Sequence, residues 1–150
     1  MAAEPRYILV PVDDSVGARR AFDMCLNEIV KPGDGVFLVH VYEPFMPIVT
    51  PTGYVPPELF ENFSSRGLKE AERILSALAA VCAERGIPCK TQAIEGDARD
   101  SICTLADTIN AKMIVIGSRG LGAIKRALLG SVSSFVVNHS SKPVLVVHGQ

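Results

Sequence analysis

The sequence predicts an α/β fold: a single doubly wound three-layer sandwich whose central layer is a five-stranded parallel sheet. The first observation is a set of five short strand-like runs, four of which are apolar without polar alternation, which is typical of strands buried on both faces. The second is that these runs alternate with segments whose apolar residues recur at helical spacing. Such an alternation builds βαβ units with helices on both sides of one sheet. A length of 150 residues suits one domain, expected to span residues 1–150.

The predicted strands coincide with these five runs. They cover residues 7–12, 36–42, 89–94, 113–116 and 144–147. The third strand is polar for a central position, so we expect it at an edge of the sheet. The fifth is wholly apolar, and an apolar strand at an edge would invite pairing with another chain.

The predicted helices lie between these strands and begin at short polar residues that can act as N-caps. The candidates are Asp13, Asp14 or Ser15 for the first helix, Asp97 for the third and the serines at 131, 133 and 134 for the fourth. The second helix is predicted over residues 58–85, and Gly67 marks a point where it could break. Asn110 is the predicted left-handed stop of the third helix.

Residues 43–57 have a different composition from the rest of the chain. Five of the ten prolines fall here, among large apolar side chains. Proline removes amide donors and blocks helix, so the segment is predicted to be a long apolar loop at the C-terminal edge of the sheet. A lid over a ligand, a flap on a partner and an insertion without a role all remain open.

Composition limits the function classes. Fifteen basic against sixteen acidic residues give a net charge of −1, which argues against a broad nucleic-acid or anionic-membrane surface. The four cysteines form no metal-ligand spacing and are expected to be free thiols, mostly buried, in a reducing compartment. No apolar run approaches the ~20 residues that span a bilayer. We therefore expect a cytoplasmic protein without a nucleic-acid or membrane partner.

A glycine pattern follows the fourth predicted strand. Gly117 ends the strand, Gly120 lies in the following turn, and Gly130-Ser131 precedes a helical stripe. Strand, glycine loop and helix N-terminus together present backbone N–H groups to an anion, and the positive end of the helix dipole favours phosphate there. The pattern is not a P-loop, because no Gly-Lys-Ser/Thr occurs, and Lys125 stands where the dinucleotide fingerprint needs glycine.

This long glycine pattern resembles the nucleotide-binding signature of the universal stress protein family, in its ATP-binding branch. Residues 8–15 and 142–147 carry the same resemblance, which covers essentially the whole chain. The resemblance implies strand order 3-2-1-4-5, bound ATP whose phosphates can carry Mg2+, and a homodimer formed through strand 144–147. In that order the sheet reverses between strands one and four, and ligands bind outside such a switch point. Lys112 stands where relatives often carry an acidic residue. It lies at the far end of strand four, so we do not expect it to contact the ligand.

The resemblance also implies the residues of an adenine-nucleotide site. They are Pro11, Val12, Asp13, Val41, Gly117, Arg119, Gly120, Gly130, Ser131, Val132 and Ser133. Val12 and Val41 would line the adenine slot, and Asp13 would accept hydrogen bonds from ribose hydroxyls unless it caps the first helix instead. The glycines would admit the phosphates, and the amides and hydroxyls of residues 130–133 would bind them. Arg119 would screen phosphate charge or face solvent, and Ser134 is a weaker candidate.

Two functions from different classes fit this site. The first is an ATP-binding stress-response protein that acts as a nucleotide-dependent regulatory or binding module. The second is a slow Mg-dependent ATP hydrolase, for which the sequence offers no identifiable general base, since no motif places His40, His139 or His148. A nucleotide-free scaffold is disfavoured by the intact glycine pattern.

Overall fold

The computed structural model describes residues 3–44, 51–53, 56–120 and 128–149. Its strands are β1 (Arg6–Pro11), β2 (Asp34–Tyr42), β3 (Cys89–Glu95), β4 (Met113–Gly117) and β5 (Val144–Val147). They form one five-stranded sheet in the order β3-β2-β1-β4-β5, and every neighbouring pair is parallel. The fold class, the strand order and the edge position of the polar third strand are therefore confirmed.

Helices connect the strands: α1 (Val16–Met24), α2 (Pro57–Glu84), α3 (Ala98–Thr108) and α4 (Ser131–His139). A π-helical turn, Cys25–Ile29, continues α1. Two of the predicted caps are confirmed: Ser15 Oγ accepts the Ala18 N–H at 3.1 Å, and Asp97 Oδ1 accepts the Arg99 N–H at 2.8 Å. Asn110 adopts the predicted left-handed conformation, with φ of 48°.

The predicted break at Gly67 is wrong, because α2 runs unbroken through that position. A Cβ atom at Gly67 would lie 2.6 Å from the Tyr42 ring. The glycine therefore makes room for an aromatic side chain of β2, and the neighbouring residues supply enough helix propensity to continue past it.

The core consists of two apolar layers, one on each face of the sheet. Ile8 packs with Phe22 and Leu75 on the side of α1 and α2, whereas Leu9 packs with Ile102 on the side of α3. Neighbouring strand residues point to opposite faces, so an unbroken apolar run is needed where both faces are covered. Ile8 and Leu9 are fully buried, as the first apolar run predicts.

A buried carboxylate marks the N-terminal end of the sheet. The Asp34 side chain is fully buried, receives the Lys112 ammonium at 3.0 Å and the Lys31 N–H at 3.0 Å, and pairs with Arg6 at 3.2 Å. Burial alone would raise the pKa of Asp34, but the Lys112 hydrogen bond and the other partners hold it below its usual value. Lys112 thus lies at the far end of β4 from the switch point, as expected.

Some predictions fall on residues outside the described ranges. These are most of the proline-rich loop, residues 45–50 and 54–55, and the basic residues Lys125 and Arg126. The second helix begins at Pro57, next to its predicted start. Within the described ranges, the helices are too short or too polar to cross a membrane.

Candidate functional site

A cleft of about 310 Å³ opens where the chain leaves β1 and β4 at their C-terminal ends, next to the start of α4. We call it the β1–β4 cleft. Every residue of the implied nucleotide site lines it except the weaker candidate Ser134. The fold thus brings together residues as far apart in the chain as Pro11 and Ser133; their individual roles stay predictions. The volume of the cleft falls at the lower end of the ~300–1,000 Å³ range of ligand pockets.

The N-terminus of α4 supplies the donor wall of this cleft. Gly130 is the N-cap residue, and no side chain in the described part of the chain caps the helix. The first intrahelical hydrogen bond runs from Ser134 N–H to Gly130 O at 3.0 Å. The amides of Ser131, Val132 and Ser133 therefore precede the helical ladder, and they need partners from elsewhere. An anion in the cleft would satisfy them and would meet the positive end of the helix dipole.

The hydroxyl of Ser133 already has backbone partners. Its Oγ lies 2.7 Å from Ser118 O and 3.2 Å from Gly130 O, and the side chain is buried. Gly130 N–H also donates to Ser118 O, at 2.6 Å. These bonds fasten the start of α4 to the chain leaving β4. The exposed Ser131 is consequently better placed than Ser133 to offer a hydroxyl to a ligand.

Glycines at the end of β4 and in α1 allow two backbones to approach closely. A Cβ atom at Gly117 would lie 2.7 Å from Gly17 O, and one at Gly17 would lie 2.4 Å from Arg119 O. Gly117 thus makes room for the first turn of α1, in addition to lining the cleft. Sequence reasoning missed Gly17, although a glycine inside a helical pattern costs helix stability and can therefore indicate a packing requirement.

Asp13 lies beside the glycine loop at the end of β1. Its Oδ1 accepts the Ser15 N–H at 2.8 Å, whereas Ser15 itself caps α1. A Cβ atom at Gly120 would lie 2.9 Å from Asp13 Oδ2, so the glycine leaves space for the carboxylate. The neighbouring Asp14 pairs with Arg73 of α2. The carboxylate on the cleft is therefore that of Asp13, which is half-buried and, when ionised, a hydrogen-bond acceptor.

The opposite wall of the cleft is apolar. Val12 and Val39 are buried, and Val41, Ile102 and Ile116 complete the surface. Val39, Ile102 and Ile116 were not predicted as site residues, because their apolar pattern is equally typical of core residues. The cleft therefore combines an apolar slot, a carboxylate and a row of amide donors.

His40 contacts the backbone at the end of β1, and the acidic residues of the described ranges are spread over the fold. The His40 Nδ1 lies 2.7 Å from Val12 O, a contact that needs a proton on that nitrogen. Among the described residues, His, Cys, Asp and Glu side chains form no cluster of three that could hold a metal ion.

Comparison with known proteins identifies the group to which the chain is related. Residues 5–148 match the model of the universal stress protein family. A universal stress protein of Synechocystis is 34% identical, over 95% of this chain and 85% of the relative. Among solved structures, a universal stress protein from Lactobacillus plantarum superposes with a TM-score of 0.76 at 26% identity, covering 97% of this chain and 99% of the other.

A second solved structure has a ligand. It is a universal stress protein family member from Arabidopsis thaliana with AMP bound, with a TM-score of 0.72, 26% identity, and coverage of 97% of this chain and 93% of the other. The family match extends over nearly the whole chain, and both superpositions cover 97% of it. The chain belongs to the universal stress protein family.

Proposed function

We propose that the β1–β4 cleft binds an adenine nucleotide, ATP in the cell, and that nucleotide occupancy sets the conformation or partner choice of a stress-response module. The observation that carries the proposal is the N-terminus of α4, which borders the cleft. The amides of residues 131–133 precede the first intrahelical hydrogen bond and so have no acceptor within their own helix. The AMP-bound Arabidopsis relative supports the choice of an adenine nucleotide.

The proposed orientation follows from the chemistry of the walls. The base lies in the apolar slot formed by Val12, Val41 and Ile102. The ribose hydroxyls donate to the carboxylate of Asp13, whose oxygens are hydrogen-bond acceptors at the cleft. The phosphates lie at the start of α4, where the dipole and the amides both favour negative charge. Any Mg2+ enters on the phosphates, which supply the oxygen ligands it prefers.

Ser131 allows a test that separates the backbone amide from the side chain. It occupies the first position of α4, where proline is well tolerated because the helix does not use that N–H. Ser131→Pro removes the amide donor and the hydroxyl, whereas Ser131→Ala removes the hydroxyl alone. Gly130 has ψ of 169°, in the extended region that a residue before proline adopts. Both variants should therefore keep the helix.

Calorimetric titration with ATP provides the measurement. A hydrogen bond to a charged group contributes about 1.5–3 kcal/mol, so Ser131→Pro should lower affinity roughly 10- to 100-fold at 1.4 kcal/mol per tenfold. Ser131→Ala should lower ATP affinity less than Ser131→Pro does, because the backbone amide remains. If both variants bind ATP as tightly as the wild type and circular dichroism shows that the helix is intact, the proposed position of the phosphates at this helix end is wrong.

We also propose a homodimer formed through β5. This strand occupies an edge of the sheet, with β4 as its neighbour on the other side. Its outer backbone groups can pair with a two-fold copy and close an isologous interface. Val146→Pro should dissociate the dimer, because proline cannot donate to a ladder. The molar mass in solution at low micromolar concentration tests the proposed dimer. A wild-type protein that stays monomeric over the whole concentration range would contradict it. The cytoplasmic location expected from the sequence stays a prediction.

A further inference from the structure

The hydrogen-bond ladder between β1 and β2 ends at the β1–β4 cleft. The last strand pair is Pro11 with Val39, and the Val12 N–H then donates to Val39 O at 2.8 Å. In a regular parallel ladder, the next evenly spaced bond would run from the Val41 N–H to Val12 O. The structure describes both residues and has no such bond between them. The ladder therefore stops, although β2 itself continues to Tyr42.

The side chain of His40 supplies the donor that the ladder lacks at this point. Its Nδ1 lies 2.7 Å from Val12 O, so the ring donates where the Val41 N–H otherwise would. Val12 is only 5% exposed, and a buried carbonyl is normally hydrogen-bonded. His40 is half-buried and is not among the residues that line the cleft. It can therefore act on a ligand there through the backbone that it holds.

The backbone groups of Val41 face the space beyond the end of β1. Consecutive residues of an inner parallel strand direct their N–H and C=O groups alternately to the two neighbouring strands. Val39 O accepts from Val12 on the β1 side, whereas Tyr42 O accepts from Gly96 on the β3 side. Val41 therefore directs both groups toward β1, which has already ended. Since Val41 also lines the cleft, its N–H and C=O are placed to meet a ligand.

The N–H and C=O of one residue together match one edge of adenine. That edge has the ring nitrogen N1, an acceptor, beside the 6-amino group, a donor. Guanine presents the reverse order, a donor at N1 beside the acceptor O6, and would leave both Val41 groups unpaired. An available Val41 N–H would therefore favour adenine over guanine in this cleft.

We propose that His40 is a positioning residue for base recognition: by holding Val12 O, it leaves the Val41 N–H available to N1 of adenine. The inference rests on the proposed function, because it concerns the same cleft. Without the ring donor, the Val41 N–H is the next group in register that can satisfy Val12 O. Closing that bond would extend the ladder and take the N–H away from the base.

A matched pair of substitutions separates the donor from the bulk of the side chain. In asparagine the amide nitrogen is attached to Cγ, as Nδ1 is in histidine, so His40→Asn keeps a donor for Val12 O. His40→Leu introduces a side chain of similar size without a donor. Calorimetric titrations use ATP and 1-deaza-ATP, in which a C–H group replaces N1. The comparison of the two nucleotides measures the contribution of the Val41 N–H.

The wild type should bind ATP roughly 3- to 10-fold more tightly than 1-deaza-ATP, as expected for one hydrogen bond between neutral groups. His40→Asn should keep this preference. His40→Leu should lose it, because ATP affinity falls while the affinity for 1-deaza-ATP stays the same. The inference is overturned if His40→Leu weakens both nucleotides equally or keeps the preference for ATP. If the wild type binds neither nucleotide, the proposed function fails and the inference fails with it.

Amide hydrogen exchange tests the same point in the ligand-free wild type, without a variant or a nucleotide. Val39 is paired within the ladder, whereas the Val41 N–H lacks the bond to Val12 O. The Val41 amide should therefore exchange faster than the Val39 amide, and it should slow in His40→Leu or when ATP binds. Equal protection of the two amides in the ligand-free wild type would overturn the inference, even if ATP binds as proposed.

Discussion

The contact between α1 and the chain leaving β4 makes Gly17 a sensitive position. An alanine methyl there would lie 2.4 Å from Arg119 O, below the 3.0 Å that real Cβ contacts essentially never pass. The atom it meets belongs to the backbone, so no side-chain rotation can relieve the overlap. Gly17→Ala must therefore push α1 away from β4 or displace the carbonyl of Arg119.

Two opposing effects set the size of the change. Replacing a helical glycine by alanine stabilises by about 0.5–1 kcal/mol, whereas overpacking a tight contact costs about 1–3 kcal/mol. Because an overlap this close with a backbone atom belongs at the upper end of the overpacking range, we expect a net loss of about 1–2 kcal/mol in the free energy of unfolding. At ~2–4 °C per kcal/mol for a chain of this size, Tm should fall by roughly 2–8 °C.

Thermal unfolding followed by circular dichroism measures this loss, and calorimetry with ATP reports the cleft. Val16→Ala is the matched control, because Val16 lies in the same helical turn but is 68% exposed, and its effect should stay within about 0.5 kcal/mol. Displacement of Arg119 should also weaken ATP binding. If Gly17→Ala melts at or above the wild-type temperature with unchanged ATP affinity, the proposed close approach of the two backbones is refuted.

Two further predictions concern acid stability and turnover. Since the folded-state pKa of Asp34 lies below its usual value, the carboxylate stabilises the protein above its unfolded pKa, and this is lost as pH falls through the lowered value. Asp34→Asn should therefore lower the free energy of unfolding by roughly 1–3 kcal/mol at pH 7. The loss is smaller than for a fully buried ion pair, because the side chains of Arg6 and Lys112 stay partly exposed to water. Urea denaturation should show that the difference from the wild type becomes smaller below about pH 4. Phosphate release from Mg-ATP should be far below the roughly 1–1,000 per second typical of enzymes; a rate within that range would favour the hydrolase.

Local chemistry explains what the sequence predicted well. The apolar runs mark buried strands because both faces of β1 are covered, and Ser15 and Asp97 cap helices through bonds to residues two or three positions away. The order of the strands, in contrast, came from family resemblance, since periodicity carries no information about which strands are neighbours. The edge position of β3 could be predicted because its polarity reflects its surroundings.

Distant contacts explain what the sequence did not predict. Gly67 was interpreted as a helix break, but Tyr42 of β2 gives the reason for the glycine. Gly17 was missed because its constraint is a carbonyl a hundred residues later in the chain. The hydroxyl of Ser133 was assigned to phosphate, whereas its geometry directs it to Ser118 O. The cleft could be located from motifs, but the partners of each polar atom depend on the packed structure.

Nuclear magnetic resonance of 15N-labelled protein during titration with ATP tests the nucleotide site most directly. The largest amide shifts are expected at Ser131, Val132 and Ser133, because their N–H groups would gain charged acceptors. Small changes are expected around the cavity at the opposite end of the sheet, which includes Gly33 and Gly86. Shifts concentrated at those two glycines, or no shifts at millimolar ATP, would contradict nucleotide binding at the start of α4.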